Sequence, residues 1–469
     1  MNAELKMLIN GELVQGDATL DVVNPATAKP FITVARASEA QAGEAVAAAK
    51  AAQPGWAALP REERQAYLER LADAIDAHAD KLARTLTLEQ GKPLPEAQAE
   101  ISYTAIFLRH FAAMELPIEV VQDDDELRVE VHQKPLGVVV GIAPWNFPVL
   151  IAMNKVGPAL TLGNTIIIKP APTTPAAILM VGELAAGILP PGVFNIVVDQ
   201  NDLGNYLTSH PDVNKVSFTG STATGKKVTM SAASTLKRLT LELGGNDAGV
   251  VLDDVDVKKT ARGIVDSAFL NAGQVCIALK RLYVPTKIYD AMCDELATLV
   301  GGMVYGDGLE QGVQVGPLQN AQQFAKAKAY LGIAERDGHI IAGGSAGEGD
   351  GFFIRPTVVR DIKEGSPLVD EEQFAPILPV IRYEDIDDVI VRANDTKMGL
   401  GGSVWSSSIE RAYAYARRID SGTVWINHHT HFAPHIPLGG AKESGIGVEF
   451  SAHGLAEYAQ TAVISIRKQ

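Results

Sequence analysis

The sequence predicts an α/β chain: a doubly wound parallel sheet of the dinucleotide-binding kind, followed by a second region in which strands and helices alternate. Three observations carry this. Apolar runs, "GVVVGI", "TIIIKP", "VFNIVV", "KVSFTG" and "AGVVLD", recur from Leu136 onward, as strands buried on both faces do. Helix-like segments, "PVLIAMNKVGPALTL", "TPAAILMVGELAAGI", "LGNYLTSH" and "STATGKKVTMSAAS", separate them. The length, 469 residues, exceeds one ordinary core and implies two or three domains.

Residues 38–114 come first, rich in Ala, Glu, Arg and Leu at helical spacing. Breaks at Gln53 to Trp56 and at Gly91 to Pro95 predict three helices. "LRVEVHQ" (127–133) alternates like a half-exposed strand. Beyond "LELGGND", helices are expected near 256–270, 286–300, 320–336, 385–395 and 408–419. "GGSAGEGDG" (343–351) reads as a loop, and the tail "AVISIRK" alternates again.

Hydrophobic residues make up 46% and charged residues 21%, a globular composition. A net charge of -15 argues against nucleic acid and against anionic membrane as partners. Two cysteines make no disulfide framework and suit a reducing compartment. The N-terminal stretch has no basic start followed by an apolar run, so no secretory signal is expected. The most apolar region is interrupted by Pro144, Asn146, Pro148 and Lys155, too often for a membrane span. A cytoplasmic protein is expected.

"FTGSTATGKKV" fills seven of the eight positions of a phosphate-binding P-loop, with Gly220, Gly225 and Lys226 in place. Lys227 stands where Ser or Thr would hold magnesium, which disfavours the competing reading of a nucleotidase. A glycine turn at a helix start still suits a phosphate of some kind. In "VGIAPWNFP" two prolines fix the backbone around Asn146, whose amide could donate to a developing oxyanion or only tie down the turn. Glu242 ends an apolar alternation before a Gly-Gly turn. It suits a general base of raised pKa or a solvent-facing strand residue. Cys276, in "NAGQVCIALK", admits a nucleophile or a buried structural thiol, whereas Cys293 looks like a helix core position. Gly273 suggests a backbone that comes close to a bound ligand. His428, His429, His431 and His435 crowd one segment, but no acidic residue or Cys is near in sequence and no metal is expected.

"PWNFP", "KPAPTTP", "FTGST", "LELGG", "GQVCIA", "EEQFAP" and "PLGGAKESGIG" occur in the order seen in the aldehyde dehydrogenase superfamily, and the resemblance covers nearly the whole chain. It implies a Rossmann-type cofactor domain (1–116 and 136–244), a second α/β catalytic domain (245–443), and a small β oligomerisation arm with the C-terminal tail (117–135 and 444–469). It implies NAD(P)-dependent oxidation of an aldehyde to the carboxylic acid, in a homodimer or homotetramer. Cys276 would be the nucleophile, Asn146 an oxyanion donor and Glu242 the base that activates water. Lys155 and Glu449 match positions that relay protons in some relatives.

For the cofactor, the resemblance implies Lys169 at the adenosine ribose, Ser221 with Gly220 and Gly225 at the pyrophosphate, and Glu372 with Phe374 at the nicotinamide ribose. Ile142, Trp145 and Leu243 match lining positions. Pro172 stands where strongly NAD-selective relatives often carry Glu, so NAD with tolerated NADP is expected. Ala375 replaces a usual Gly, and "VVDQNDLG" lacks the usual early glycines. Phe147, Leu150, Val275, Ile277 and Phe432 would form an apolar substrate pocket without arginine. That favours an aromatic or medium aliphatic aldehyde over a short dicarboxylic semialdehyde. A thioester-transferring enzyme and a catalytically silent member are the alternatives within the family.

Overall fold

Four strands that periodicity alone does not reveal begin the chain: β1 (Met7–Ile9), β2 (Glu12–Val14), β3 (Ala18–Asn24) and β4 (Lys29–Arg36). They are short and of mixed polarity, so the alternation is too weak to read. The computed structural model describes residues 3–468.

Four helices follow where the spacing predicts three: α1 (Glu39–Ala58), α2 (Arg61–Ala77), α3 (Ala79–Gln90) and α4 (Leu94–Ala113). Ser38 and Gln41 form a capping box at the start of α1. The expected break at Gln53 to Trp56 does not occur, and α1 runs through Pro54. Tertiary contact overrides the proline here: Trp56 is buried and donates its indole N–H to the Leu160 carbonyl at 3.0 Å. The break falls instead before Pro60, and the second break comes at Gly91, whose φ of 97° gives α3 a left-handed cap.

Next come β5 (Glu119–Asp123), β6 (Leu127–Pro135), β7 (Val138–Ile142), α5 (Pro148–Thr161), β8 (Thr165–Lys169), α6 (Ala176–Ala186), β9 (Phe194–Ile196), α7 (Gly204–Ser209), β10 (Lys215–Thr219), α8 (Thr222–Ala232) and β11 (Arg238–Glu242). Strands β9-β8-β7-β10-β11 are parallel, in that order, with β1 antiparallel beyond β9. The central strands β7, β8 and β10 are buried throughout, which explains their unbroken apolar sequences.

The chain then changes sheet. β12 (Asp247–Val251), α9 (Val257–Phe269), β13 (Leu279–Pro285), α10 (Tyr289–Gly301), α11 (Ala321–Asp337), β14 (His339–Ala342), β15 (Thr357–Arg360), α12 (Pro367–Asp370), β16 (Ile377–Tyr383), α13 (Ile386–Asn394), β17 (Met398–Gly399), β18 (Gly401–Trp405), α14 (Ile409–Ala416) and β19 (Thr423–Ile426) follow. All but β17 of these strands form a second sheet of order β14-β15-β16-β13-β12-β18-β19, parallel except at β14. β20 (Ala441–Lys442) pairs with β17, and β21 (Gly445–Ile446) returns to the edge of the first sheet beside β11. After α15 (Ser451–Ala456), β22 (Ala459–Arg467) joins β6 and β5 in a three-stranded antiparallel sheet. No helix among the described residues is long and apolar enough to cross a membrane.

Candidate active site

Parallel register gathers the first group of residues. Ile142 lies opposite Lys169, and Thr219 opposite Glu242, so the carboxyl ends of β7, β8, β10 and β11 form one rim. From β7 the chain passes through Trp145 and Asn146 into α5, whose first residue is Pro148, a favoured position for proline. Glu100 of α4 accepts the Val149 and Leu150 N–H groups at 3.0 and 3.2 Å, filling the helix start. Its other oxygen pairs with Lys92 at 2.6 Å, and Lys92 also donates to the Asn146 carbonyl at 2.9 Å. Both side chains are fully buried.

Asn146 is locked from a second side. Its amide donates to the Gln274 carbonyl at 3.0 Å, and Asn271 donates to the Asn146 carbonyl at 3.0 Å. One amide N–H thus orients the group and the other stays free. The loop that carries Gln274 and Cys276 is strained: Asn271 and Ala272 both hold positive φ, 49° and 56°. Gly273 continues at 70°, and a Cβ there would lie 2.5 Å from the Ala375 carbonyl oxygen. The glycine therefore serves contact with the segment after Phe374, not approach to a ligand. Lys280 donates to the carbonyls of Val275 and Cys276 at 2.7 and 2.6 Å, placing a buried cation under the thiol.

Cys276 is the meeting point of two cavities. The first, about 170 Å³, is lined by Trp145, Asn146, Gly220, Ser221, Leu243, Glu372 and Phe374 as well as Cys276. The second, about 260 Å³, is a tunnel walled by Phe147, Leu150, Val275, Ile277, Phe432 and Phe450, again with Cys276. The five expected pocket residues all lie on this tunnel. Cys293, in contrast, is fully buried in α10.

Burial pushes the Cys276 thiol up to about 12; Lys280 opposes this, while Glu242, Glu372 and Asp247 add to it. Glu242 is 5% exposed, and its Oε1 has no hydrogen-bond partner. Burial, then the Glu449 carboxylate, hold the Glu242 carboxyl well above the ordinary carboxylate range, against the pull of Lys155. Lys155 Nζ sits 2.7 Å from Glu449 Oε1, 2.8 Å from Thr219 Oγ1 and 3.1 Å from Ser217 Oγ. The three residues Glu242, Lys155 and Glu449 thus form one buried cluster at the rim.

The first cavity gathers Trp145, Gly220, Ser221, Leu243, Glu372 and Phe374, six of the residues expected at the cofactor. Gly245 N–H donates to Glu372 Oε1 at 3.0 Å, and the missing side chain of Gly244 leaves the space that this carboxylate fills. Gln323 Oε1, also on this cavity, is buried without a partner. Trp145 and Phe374 meet edge to face, 5.4 Å between centroids. Ser221 caps α8 by accepting the Thr224 N–H.

The remaining expected cofactor residues lie off this cavity. Ile142 is buried at the end of β7, and Pro172 is half-buried beyond β8. Lys169 Nζ is 2.6 Å from Asp199 Oδ1, with both side chains buried. Gly225 lies within α8, where a Cβ would come 2.6 Å from Leu243; it serves helix–strand packing. Lys226 is also inside α8 and reaches Glu443 at 2.9 Å on the surface. A P-loop needs these two residues in the loop before the helix, so the nucleotidase reading is overturned.

The four histidines do not converge. His429 is buried, its Nδ1 2.8 Å from Ser403 Oγ and its Nε2 3.4 Å from Asp247, an acidic neighbour that sequence distance hides. Among the described residues no group of three or more His, Cys, Asp or Glu gathers as metal ligands do. Sequence reasoning missed Lys92, Glu100, Asn154, Asp199 and Lys280. All are buried polar residues, and their only sequence signal is a polar residue within an otherwise apolar element.

Comparison with known proteins agrees with this geometry. The model of the "Aldehyde dehydrogenase family" matches residues 13–464. The chain is 38% identical to the NADP(+) succinate-semialdehyde dehydrogenase GabD of Escherichia coli, over 98% of this chain and 97% of that protein. It is 37% identical to a glutarate-semialdehyde dehydrogenase of Pseudomonas putida, over 98% of this chain and 97% of that protein. The NAD+ complex of an aldehyde dehydrogenase from Bacillus cereus superposes with a TM-score of 0.97 at 32% identity, covering all of both chains. The chain belongs to the aldehyde dehydrogenase family, as an NAD(P)-dependent oxidoreductase acting on aldehydes.

Proposed function

We propose that the protein oxidises aromatic or medium aliphatic aldehydes to carboxylic acids through a thioester on Cys276. The observation that carries this reading is that Cys276 lines both the cavity that gathers the expected cofactor residues and the apolar tunnel. In this reading aldehyde enters through the tunnel. Cys276 Sγ adds to the carbonyl carbon, with Lys280 favouring the thiolate from below its own carbonyl. The free N–H of the Asn146 amide and the Cys276 backbone N–H hold the oxygen as it gains charge. Trp145, Ser221, Glu372 and Phe374 hold NAD(P), which when bound supplies the acceptor for the hydride leaving that carbon. Glu242 then takes a proton from water at its unpartnered oxygen, and the water releases the acid. Lys155 and Glu449 carry the proton onward.

The curated relatives are named for succinate and glutarate semialdehydes, whose far ends are carboxylates. The tunnel walls here include no Lys or Arg among the described residues, so a carboxylate drawn inside would lose water without gaining a counter-charge. Apolar tails suit these walls better. NAD is the preferred cofactor, with NADP accepted. We assign the division into cofactor domain, catalytic domain and arm to the boundaries given by sequence. The arm sheet exposes Val120, Val121, Val463, Ile464 and Ile466, an apolar surface that a second subunit of a homodimer or homotetramer would cover.

The test is a panel of aromatic, aliphatic and acidic aldehydes assayed with NAD and with NADP. Aromatic or medium aliphatic aldehydes should give the highest kcat/KM, and NAD should exceed NADP. A kcat/KM for succinate semialdehyde above all of these would overturn the substrate reading while leaving the enzyme class in place.

A further inference from the structure

The tunnel holds one polar side chain with nothing to do. Asn154 lines it, is 4% exposed, and its Oδ1 has no hydrogen-bond partner. A buried amide left unpaired is costly and points to a ligand group that completes it.

Of the other polar residues on the tunnel, Tyr103 is 42% exposed and open to solvent, and the buried or half-buried ones are engaged. Glu100 accepts from Lys92, Val149 and Leu150, Glu96 accepts the Asn271 N–H at 3.0 Å, and Thr430 donates to the His429 carbonyl. Asn154 lies on the tunnel face of α5, three and four residues after Ile151 and Leu150. From Pro148 to Asn154 the helix rises about 9 Å, so Asn154 lies along α5 away from its Asn146 end. Aromatic side chains, Tyr103, Phe147, Phe432 and Phe450, wall the space between.

We propose that Asn154 is a specificity-determining residue that hydrogen-bonds a hydroxyl on the far side of an aromatic aldehyde. A hydroxyl both donates and accepts, so it pairs with either end of the amide. The ring fills the apolar walls, and the hydroxyl sits meta or para to the aldehyde, since an ortho group stays near Cys276. This rests on the aromatic substrate reading above and sharpens it.

The test compares kcat/KM for 3- and 4-hydroxybenzaldehyde with the matching methylbenzaldehydes, which have nearly the same shape. The intact enzyme should favour at least one hydroxyl compound over its methyl partner by about ten-fold. Asn154→Leu should reverse that ratio, and Asn154→Gln should keep it above the Leu value. Far-UV circular dichroism and the melting temperature check that each variant folds; if Leu does not, Asn154→Ala replaces it. A methyl compound equal to or better than its hydroxyl partner in the intact enzyme overturns the proposal. So does a hydroxyl preference that survives loss of the amide. If hexanal or succinate semialdehyde exceeds every aromatic aldehyde, the aromatic reading fails first, whatever Asn154 does.

Discussion

Lys155 Nζ lies 2.7 Å from Glu449 Oε1, and the two residues come from α5 and from the segment before α15, nearly three hundred positions apart in the chain. The pair is buried beside Glu242 and adjusts a proton affinity that burial raises most. Glu449 raises the Glu242 carboxyl more than Lys155 lowers it.

A pH prediction follows from that order. Glu242 works as a base only when ionised, so thioester hydrolysis should rise with pH through a group titrating above the usual carboxylate range. Glu449→Gln removes the larger of the two charge effects. The acid limb of single-turnover thioester hydrolysis should move to lower pH. A limb that moves to higher pH contradicts the order of these effects.

The Lys92–Glu100 pair is the second test. Lys92 holds the backbone of Asn146, and Glu100 fills the start of α5. Breaking a buried pair by removing one partner strands the other, at about 3–5 kcal/mol. Lys92→Met should therefore lower the unfolding free energy by about that amount in denaturant titration. It should also reduce kcat more than it raises KM, because Asn146 stabilises charge that appears only in the transition state. Wild-type stability in Lys92→Met removes the pair from the account.

In the proposed reading, Lys169 bears on cofactor choice. Its ammonium is 2.6 Å from Asp199, so its charge is already compensated and offers little to a 2′-phosphate. Asp199→Asn should tighten NADP binding relative to NAD, read as dissociation constants by fluorescence titration. Pro172→Glu should act the other way and favour NAD by ~1–2 kcal/mol, about ten-fold or more. Unchanged ratios in both variants place the selection elsewhere.

Much of this architecture is legible in sequence because burial on both faces leaves unbroken Val and Ile runs, as in β7 and β8. Asn146, Glu242 and Cys276 stand out because each interrupts or ends such a run. Pro54 misleads because Trp56 packing keeps α1 intact across it. Gly225 and Lys226 mislead because a spacing rule does not say where the helix begins, and here it begins three residues earlier. Lys280 and Asp199 leave no trace in periodicity, since a buried charge is defined by its distant partner. Asn154 is hidden for the same reason: only the tunnel shows that its amide is left alone.

In the proposed reaction Cys276 carries the acyl group and Glu242 releases it. The most direct measurement is intact-mass and peptide-level mass spectrometry of Glu242→Gln after mixing with NAD and a good aldehyde substrate. One burst of NADH per active site should be followed by stalled turnover. One acyl adduct should appear on the peptide containing Cys276 and be absent in Cys276→Ser. Steady turnover in Glu242→Gln, or an adduct on Cys293 instead, would contradict this reaction.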